Sequence, residues 1–432
     1  RMAPSSLRSP SGYPLVGNTI EWARDPFGFI DRVVDEIGDV AQFETIGGDV
    51  CLLAHPEYAE RMLVSDREAF GKTSDFTAAF GDGLLAAEGD QWTRLRSALD
   101  EFFYPDRIRS YTDTMVELTQ RRIDRWEDGE TYSLADEMKE LALENIFATL
   151  FDTRLGIDEN TDIRTAANEL NGWFTPTSWA LPDNIPTPAR YRFRRAVERL
   201  QSKAESLLSA ADTENSTDML SALASMQETA DLSDDEILSQ VQTFIFAGHD
   251  TTGLALTYAL HLLSTHAAVR DQFYTELDTV LGSSQPTLST VGDLEVVERV
   301  LQEALRLYPS IHTIPRVTTT DVTMGGYRIP AGTETHLSVW RLGRDDRFWE
   351  TPTEFRPARW AETTPQSEGY AYIPFGAGPR QCIGRRFALL EAKIVLATIG
   401  QQYRLEPQSE LSVEPQMTTQ PADDVPVTVR TR

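Results

Sequence analysis

The sequence predicts a mainly α-helical protein that carries small β-sheets. Its 432 residues are 41% hydrophobic, which is enough apolar material for a large folded core. Helical periodicity runs from about residue 92 to 308 and returns over 385–401, whereas short strand patterns occupy 39–55, 316–340 and the C-terminal end. The first and second of these strand groups are too small to be independent domains. We therefore expect them to meet in one sheet within a single unit that spans residues 1–432.

The N-terminal part predicts a helix followed by a β-hairpin. Apolar residues at spacings of three and four, with a glycine at the end of the run, are Ile30, Val33, Val34, Ile37 and Gly38. The apolar segments 40–46 and 50–54 flank Gly47 and Gly48, whose backbone freedom suits a hairpin turn.

A second group of strands follows the helical region. Residues 322–329 predict a hairpin around two central glycines, and 333–339 predict another strand. The segment 425–430 predicts a last strand. Because proline cannot donate a backbone hydrogen bond, Pro426 predicts an edge position for that strand.

The charge balance is strongly acidic. The chain has 40 Lys and Arg against 67 Asp and Glu, a net charge of −27, which argues against nucleic acid as a partner. Lysine is scarce and is found only at Lys72, Lys139, Lys203 and Lys393. One interpretation is an acidic protein kept soluble by self-repulsion. Because the acidic residues are dispersed and lysine is so rare, we favour adaptation to high salt, as in a halophilic organism.

The cysteine count and the hydropathy indicate the cellular compartment in which the protein works. Two cysteines, Cys51 and Cys382, exclude a disulfide scaffold and favour a reducing cytoplasm. No stretch of eighteen apolar residues occurs, so we expect no transmembrane anchor. Cys51 lies in an apolar strand pattern and is interpreted as a core residue.

A glycine-rich segment brings Cys382 to the start of an amphipathic helix. Free N–H groups and the positive end of the helix dipole would stabilise a thiolate there. Three nearby glycines, Gly376, Gly378 and Gly384, permit positive φ and a close approach of the backbone to a flat partner. The alternative from these residues alone is a small buried hydrophobe in a turn.

A second candidate site lies within a long apolar helix. Ser233 and Glu236 form a capping box at its start, and the apolar pattern continues to about Ser264. Asp250 and Thr251 interrupt this pattern, and Gly248 removes a side chain where a ligand could pass. The alternative is a mid-helix kink with a solvated aspartate.

Both segments resemble known motifs of the cytochrome P450 family. Residues 375–384, FGAGPRQCIG, resemble the haem-ligand loop FxxGxRxCxG, and residues 247–252, AGHDTT, resemble the oxygen-activation motif. The resemblance implies the cytochrome P450 fold, in which haem lies between a long central helix and the cysteine loop. It also implies haem b (iron protoporphyrin IX) as the cofactor and Cys382 as the thiolate ligand of its iron.

The resemblance further assigns residues to the cofactor. Arg380, Arg316 and the Trp92–Arg96 pair would bind the haem propionates, Lys72 is a further candidate, and Phe375 would pack beside the sulfur. The complete set of implied cofactor contacts is Cys382, Arg380, Trp92, Arg96, Arg316, Lys72, Phe375, Gly376, Gly384, Ala247 and Gly248.

Three more residues match a structural element of the family. Glu303 and Arg306 match its ExxR motif, and Arg359 matches the arginine that completes it. The resemblance implies that this cluster sets the cysteine loop and helps to retain haem. The family more often has Glu and Phe around the last arginine, where this chain has Ala358 and Trp360.

The implied activity is that of a haem-thiolate monooxygenase, which inserts one oxygen atom of O2 into a substrate. Asp250 and Thr251 would relay protons, while His249 occupies the variable motif position and is not expected to be catalytic. A peroxygenase or rearranging haem enzyme is an alternative, although an intact acid–alcohol pair argues against it. A non-catalytic haem sensor or carrier is another, which would leave the relay without a purpose.

The expected partners are an electron donor and a hydrophobic substrate. No dinucleotide-binding fingerprint is present, so electrons would come from a separate protein, such as a ferredoxin. Arg380, Arg385 and Arg386 are a candidate docking patch for it. Fatty acids, isoprenoids and carotenoids all remain open as substrates. The predicted distal pocket comprises 76–85, Trp173, Phe174, Trp179, Ala247 and 311–314.

Overall fold

The computed structural model describes residues 6–156, 161–171, 187–211, 218–228 and 232–432, and most of them are helical. The helices are α1 Thr19–Arg24, α2 Pro26–Ile37, α3 Pro56–Glu60, α4 Ser74–Phe80, α5 Gly89–Leu99, α6 Pro105–Ser110, α7 Thr112–Ile123, α8 Leu134–Leu150, α9 Thr161–Asn171, α10 Pro188–Ser209, α11 Met219–Glu228, α12 Asp234–Thr265, α13 Ala267–Val280, α14 Leu288–Val291, α15 Glu295–Leu307, α16 Val339–Leu342 and α17 Arg385–Gln402. The predicted class, mainly α with small sheets, is confirmed.

The strands form small sheets. They are β1 Val40–Thr45, β2 Gly48–Leu53, β3 Phe70–Gly71, β4 Thr131–Ser133, β5 Thr313–Thr318, β6 Val322–Met324, β7 Tyr327–Ile329, β8 Glu334–Ser338, β9 Tyr403–Pro407, β10 Val413–Pro415, β11 Thr419–Pro421 and β12 Pro426–Thr431. The largest sheet has the order β1-β2-β8-β5-β3, and β2 and β8 pair in parallel. The N-terminal hairpin therefore meets β5 and β8 in one sheet, as the sequence predicts.

One part of the second predicted strand group, the β6–β7 hairpin, does not join this sheet, so the prediction is wrong for it. The β6–β7 hairpin, the β10–β11 hairpin and the β4-β12-β9 sheet are separate from the largest sheet. The expectation of an edge position for the last strand is wrong, because β12 lies between β4 and β9. Pro426 is tolerated there as the first residue of the strand, where its missing N–H costs little.

Helix α12 runs through the middle of the fold. Its capping box has both reciprocal bonds, since Ser233 accepts from the Glu236 N–H and Glu236 accepts from the Ser233 N–H. Its N-terminal half is buried in one apolar cluster and its C-terminal half in another, and it packs against α8, α15 and α17. In the part of the chain that the structure describes, no helix is long and apolar enough to cross a membrane.

Candidate functional site

A cavity of about 340 Å³ lies between α12 and the loop that precedes α17. The structure brings most of the predicted site residues to its wall. Those that line it are Lys72, Trp92, Arg96, Ala247, Gly248, Thr251, Arg316, Phe375, Gly376, Arg380, Cys382 and Gly384. Asp250, Glu303, Arg306 and Arg359 do not line it.

The loop before α17 holds Cys382 by its backbone. The Cys382 N–H donates to the Phe375 carbonyl at 3.0 Å. Gly376 and Gly378 have φ of 68° and 71°, and a Cβ at Gly378 would lie 2.4 Å from the Leu63 carbonyl oxygen. The prediction of positive φ is wrong for Gly384, whose φ is −80°.

The Cys382 side chain is open to the cavity. Burial within the protein raises the pKa of its thiol. The backbone N–H groups of Gly384 and Arg385 act in the opposite direction because they donate to the sulfur, and the charges of Arg96 and Arg385 also favour the thiolate. The helix N-terminus therefore acts as predicted, but burial outweighs it.

Lys72, Arg316 and Arg380 form a cationic cluster at the cavity wall. Among the described residues, no ion pair within 4.0 Å joins any of the three to a carboxylate. Burial, followed by the charges of Arg316 and Arg380, lowers the pKa of Lys72 well below its ordinary value. Burial and Arg380 lower the pKa of Arg316 to about 10. Such a cluster is electrostatically suited to an anionic ligand.

Trp92 and Arg96 reach the same region from α5. The Arg380 guanidinium lies 5.5 Å from the centre of the Trp92 ring. Arg96 is partly neutralised, because its Nε lies 2.7 Å from Asp100 Oδ1, while its Nη1 donates to the Gln381 carbonyl at 2.9 Å. Arg96 thus also fixes the residue next to Cys382.

Helix α12 presents Ala247, Gly248 and Thr251 to the cavity. The Thr251 hydroxyl donates to the Ala247 carbonyl at 2.6 Å, the i−4 bond expected of a threonine within a helix. The prediction that Gly248 leaves room for a ligand needs correction. A Cβ there would lie 2.1 Å from Ile146 Cγ1, so the glycine permits the close packing of α12 against α8.

Asp250 points into a buried polar network on another side of α12. Its Oδ1 lies 2.9 Å from Lys139 Nζ, and its Oδ2 accepts from Gln420 Nε2 at 2.8 Å and from the Thr418 hydroxyl. Burial alone would raise the pKa of Asp250, but Lys139 and the other donors lower it to about 2. No hydrogen bond in the described part of the chain joins Asp250 directly to Thr251.

His249 is fully buried beside this network. Neither of its ring nitrogens has a hydrogen-bond partner among the described residues. Burial lowers the pKa of His249 to about 3, so the imidazole is neutral near neutral pH. It does not line the cavity, in keeping with the expectation that it is not catalytic.

Glu303, Arg306 and Arg359 form one buried cluster. Arg306 makes a bidentate contact with Glu303 at 2.8 and 3.0 Å, and Arg359 Nε donates to Glu303 Oε1 at 2.9 Å. Trp360 Nε1 donates to Glu303 Oε2 at 2.9 Å. Trp360, which departs from the family pattern, thus supplies a donor to Glu303 that the sequence did not predict.

The family model described as Cytochrome P450 matches residues 7–428. The chain belongs to this family. Its relatives include cyclooctat-9-en-7-ol 5-monooxygenase of Streptomyces melanosporofaciens, which is 32% identical over 92% of this chain and 89% of its own length. Pentalenene oxygenase of Streptomyces avermitilis is 30% identical over 94% of this chain and 93% of its own length. The protein is therefore a cytochrome P450 monooxygenase.

The site residues of this cytochrome P450 fit the haem iron on which the family depends. The cavity has a sulfur at one wall and, at another, three cations that form no ion pair with the described carboxylates, which matches a cofactor with a thiolate-bound metal and two anionic side chains. Cys382 would hold the iron, and Lys72, Arg316 and Arg380 would hold the propionates.

Some of the predicted pocket and docking residues of this cytochrome P450 line the cavity, and others do not. Phe76, Leu84, Leu85 and 311–314 contribute to its wall, His312 excepted, while Trp173, Phe174 and Trp179 lie outside the described residues. Arg380 faces the cavity, whereas Arg385 and Arg386 line an adjoining surface depression that shares Phe375 and Gln381 with it.

Sequence reasoning missed the partners of Asp250. Lys139 carried a usable signal, because one of only four lysines lies next to Met138 on the face of α8 that also carries Ala142. Thr418 and Gln420 lie in a C-terminal hairpin whose sequence contains nothing that points to α12.

Proposed function

We propose that this chain is a haem b-dependent monooxygenase that inserts one oxygen atom of O2 into a hydrophobic organic substrate and takes electrons from a separate ferredoxin-like protein. The observation that carries the proposal is that Cys382 and Thr251 line the same cavity from two different elements, the cysteine loop and α12. When bound, haem supplies the oxygen-activating chemistry. The protein supplies ligation, charge compensation, a proton path and a pocket.

The proton path would begin at Asp250 and end at Thr251. Asp250 is buried and anionic, and its low pKa means that it would hold a relayed proton only in passing. Thr251 has its hydroxyl at the cavity wall, where release of its bond to Ala247 would free it to donate. Movement of the Asp250 carboxylate away from Lys139 would connect the two residues.

The Glu303 cluster would set the position of the cysteine loop. Arg306 donates to the carbonyl groups of Gly343, Pro352 and Glu354 at 2.5, 2.6 and 3.0 Å, in addition to its contact with Glu303. It therefore joins α15 to the chain that leads into the loop. Removal of Glu303 would leave two buried arginines without their carboxylate, and removal of either arginine would leave Glu303 with one ion-pair partner instead of two.

The substrate would be hydrophobic. The cavity wall around α12 is formed by apolar side chains, including Phe76, Leu84, Leu85, Phe244 and Met417. Among the three open classes, the names of the relatives favour an isoprenoid, since pentalenene and cyclooctat-9-en-7-ol are terpenoids. The cytoplasm remains the proposed location, on the ground of the two free cysteines.

The electron donor would dock at the surface depression near Cys382. It measures about 990 Å³, and its basic side chains are Arg109, Arg385, Arg386 and Lys393. Glu298 is the only carboxylate among its described lining residues, in a chain of net charge −27. A basic surface on an acidic protein is complementary to an acidic donor.

Ligation is tested by the carbon-monoxide difference spectrum of the reduced holoprotein. The parent is expected to show the red-shifted band of a thiolate-bound haem, and Cys382→Ala is expected to lose it. Cys51→Ala is the matched control, because Cys51 is buried in β2 and is expected to leave the spectrum unchanged. A Cys382→Ala protein with the parent spectrum would exclude the proposed ligand.

The class of reaction is tested by product formation under two conditions. A monooxygenase is expected to turn over with O2 and a reduced ferredoxin, and to be slow with peroxide alone. Faster turnover with peroxide would identify a peroxygenase. Haem binding without turnover under either condition would identify a sensor or carrier.

Docking is tested by the rate at which a reduced ferredoxin reduces the enzyme. Arg385→Ala/Arg386→Ala is expected to slow reduction, with a smaller effect as salt rises. Arg192→Ala/Arg194→Ala, two exposed arginines on α10, is the charge-matched control. Equal rates for the parent and both variants would exclude the depression as the docking surface.

A further inference from the structure

The cavity contains a second polar region besides the cationic cluster. Glu334 and His336, both on β8, line it, and Glu334 is the only carboxylate among the described residues of its wall. Side chains two residues apart on a strand share one face, so both project to the same side of β8. This pair has no role in the relay or in the cysteine loop.

The two side chains are bonded to each other. His336 Nε2 lies 2.7 Å from Glu334 Oε1, and the side chains are 14% and 46% exposed, respectively. Burial alone would raise the pKa of Glu334, but the hydrogen bond and charge of His336 lower it. Glu334 is therefore a carboxylate near neutral pH. Its second oxygen and His336 Nδ1 make no hydrogen bond with the described residues.

The pair is electrostatically separate from the cationic cluster, although the strands are neighbours. Arg316 on β5 lies opposite Thr335, the residue between Glu334 and His336. No ion pair in the described part of the chain joins Glu334 to Arg316, although both line the cavity, and the charge that lowers the pKa of Glu334 is that of His336. Once the propionates are assigned to the cluster, Glu334 and His336 are the titratable groups left at the wall to bind a substrate.

We infer that the Glu334–His336 pair binds the hydroxyl group of an otherwise apolar substrate, so that this enzyme acts on a hydrophobic alcohol. The inference rests on the proposed function and specifies its substrate class. A hydroxyl can donate to the second oxygen of Glu334 or to an unprotonated ring nitrogen of His336, and it can accept from a ring N–H, so it suits either tautomer and brings no charge of its own to the pair. The apolar body of the molecule would lie along Phe76, Leu84 and Leu85.

Charged head groups fit this pair less well. A substrate carboxylate would be repelled by Glu334, whose second oxygen is unpaired. An amine would compete with His336 for Glu334 and would add a cation to a cavity that already contains Lys72, Arg316 and Arg380. A hydrocarbon would leave the polar groups of the pair without a partner.

The test compares the affinity of matched ligands for the holoenzyme. The ligands are farnesol, farnesene, farnesylamine and farnesoic acid, together with dodecan-1-ol and dodecane. Binding is read by equilibrium dialysis and by the ligand-induced shift of the haem absorption band. The alcohols are expected to bind roughly tenfold more tightly than their hydrocarbons. Glu334→Gln and His336→Phe are expected to remove this preference while leaving the hydrocarbon affinity unchanged.

Glu414→Gln is the matched control, since Glu414 is an exposed carboxylate on β10 that bonds Gln416 but does not line the cavity. It is expected to keep the preference for alcohols. The inference is overturned if no alcohol binds more tightly than its hydrocarbon, if the amine or acid binds more tightly than the alcohol, or if the preference survives both substitutions.

The carbon-monoxide spectrum separates this inference from the proposed function. Variants at 334 and 336 that lose the band while the parent keeps it would show that the pair holds haem, which overturns the inference and leaves the monooxygenase intact. A parent that binds no haem would overturn the proposed function. Dialysis reads alcohol binding in either case, because it does not depend on the haem band.

Discussion

Lys139 Nζ on α8 lies 2.9 Å from Asp250 Oδ1 on α12, and the two side chains are 8% and 0% exposed. Gln420 completes the contact, because its Oε1 accepts from Lys139 at 2.7 Å and its Nε2 donates to Asp250. A buried ion pair held in this way fixes the orientation of the carboxylate that is proposed to pass protons. Each of the two charges is also stable in the protein interior only while the other is present.

Lys139→Met is therefore expected to destabilise the protein by about 3–5 kcal/mol, because it leaves the Asp250 charge buried and unpaired. The double variant Lys139→Met/Asp250→Asn is expected to recover much of that loss. Denaturant unfolding of the parent, both single variants and the double variant measures the coupling. Additive losses would show that the two side chains do not interact.

Trp360 Nε1 donates to Glu303, where the family more often has phenylalanine. Trp360→Phe is expected to lower the free energy of unfolding by about 1–3 kcal/mol, because a buried carboxylate loses a donor. Trp349→Phe is the comparison, since Trp349 donates to the neutral Leu342 carbonyl at 2.8 Å and its loss is expected to cost less. Urea unfolding of both variants ranks the two bonds, and a larger loss for Trp349→Phe would contradict the argument.

The motifs of this chain were predictable because their information is local. The cysteine loop is read from ten consecutive residues, and the start of α12 from a capping box that the structure reproduces. The sheet formed by the N-terminal hairpin and the later strands was also predicted. Patterns of this kind can be read from the sequence because the interacting residues lie close together along the chain.

The contacts that the sequence did not reveal are tertiary. The partners of Asp250 come from α8 and from the segment 418–420, and no local pattern joins either of them to α12. Gly248 was interpreted as space for a ligand, whereas the space is taken by Ile146. Pro426 shows from the sequence that one backbone N–H is missing, but the sequence does not indicate which strands flank β12.

The cationic cluster predicts opposite effects on the apoprotein and on haem retention. Arg316 is 7% exposed and forms no ion pair with the described carboxylates, and burial and Arg380 outweigh the favourable charge of Glu88, so Arg316→Met removes a buried charge that an anionic ligand would compensate. The apoprotein is expected to gain on the order of 1 kcal/mol of stability. The holoprotein is expected to lose haem faster. Apoprotein unfolding and haem transfer to apomyoglobin measure the two effects, and a destabilised apoprotein would contradict the argument.

Adaptation to high salt predicts that the thermal midpoint of unfolding rises with KCl. Because the net charge is −27, the carboxylates of the folded protein repel one another and lower its stability. Simple screening is largely complete once the Debye length falls to about 8 Å, near 0.15 M salt. A salt-adapted protein is expected to keep gaining stability up to about 2 M. A midpoint that is constant above physiological salt, measured by calorimetry, would favour an ordinary acidic protein.

Glu391 predicts a pH dependence of stability. It is fully buried on α17, where Asn145 Nδ2 donates to its Oε1 at 2.8 Å, and burial raises its pKa from 4.5 to about 8. Between these values the folded protein holds a proton that the unfolded chain has lost. The stabilisation is complete below pH 4.5 and is lost as the pH rises towards 8, at a rate of at most about 1.4 kcal/mol per pH unit.

Glu391→Gln keeps the neutral form at every pH and should remove this dependence. The free energy of unfolding of the variant, minus that of the parent, is expected to increase from about pH 5 to about pH 8. Urea unfolding at three pH values measures the difference, and the subtraction cancels the titration of all other groups. Parallel pH profiles would mean that Glu391 ionises at the same pH in the folded and unfolded chain, and its burial beside Asn145 would then carry no cost.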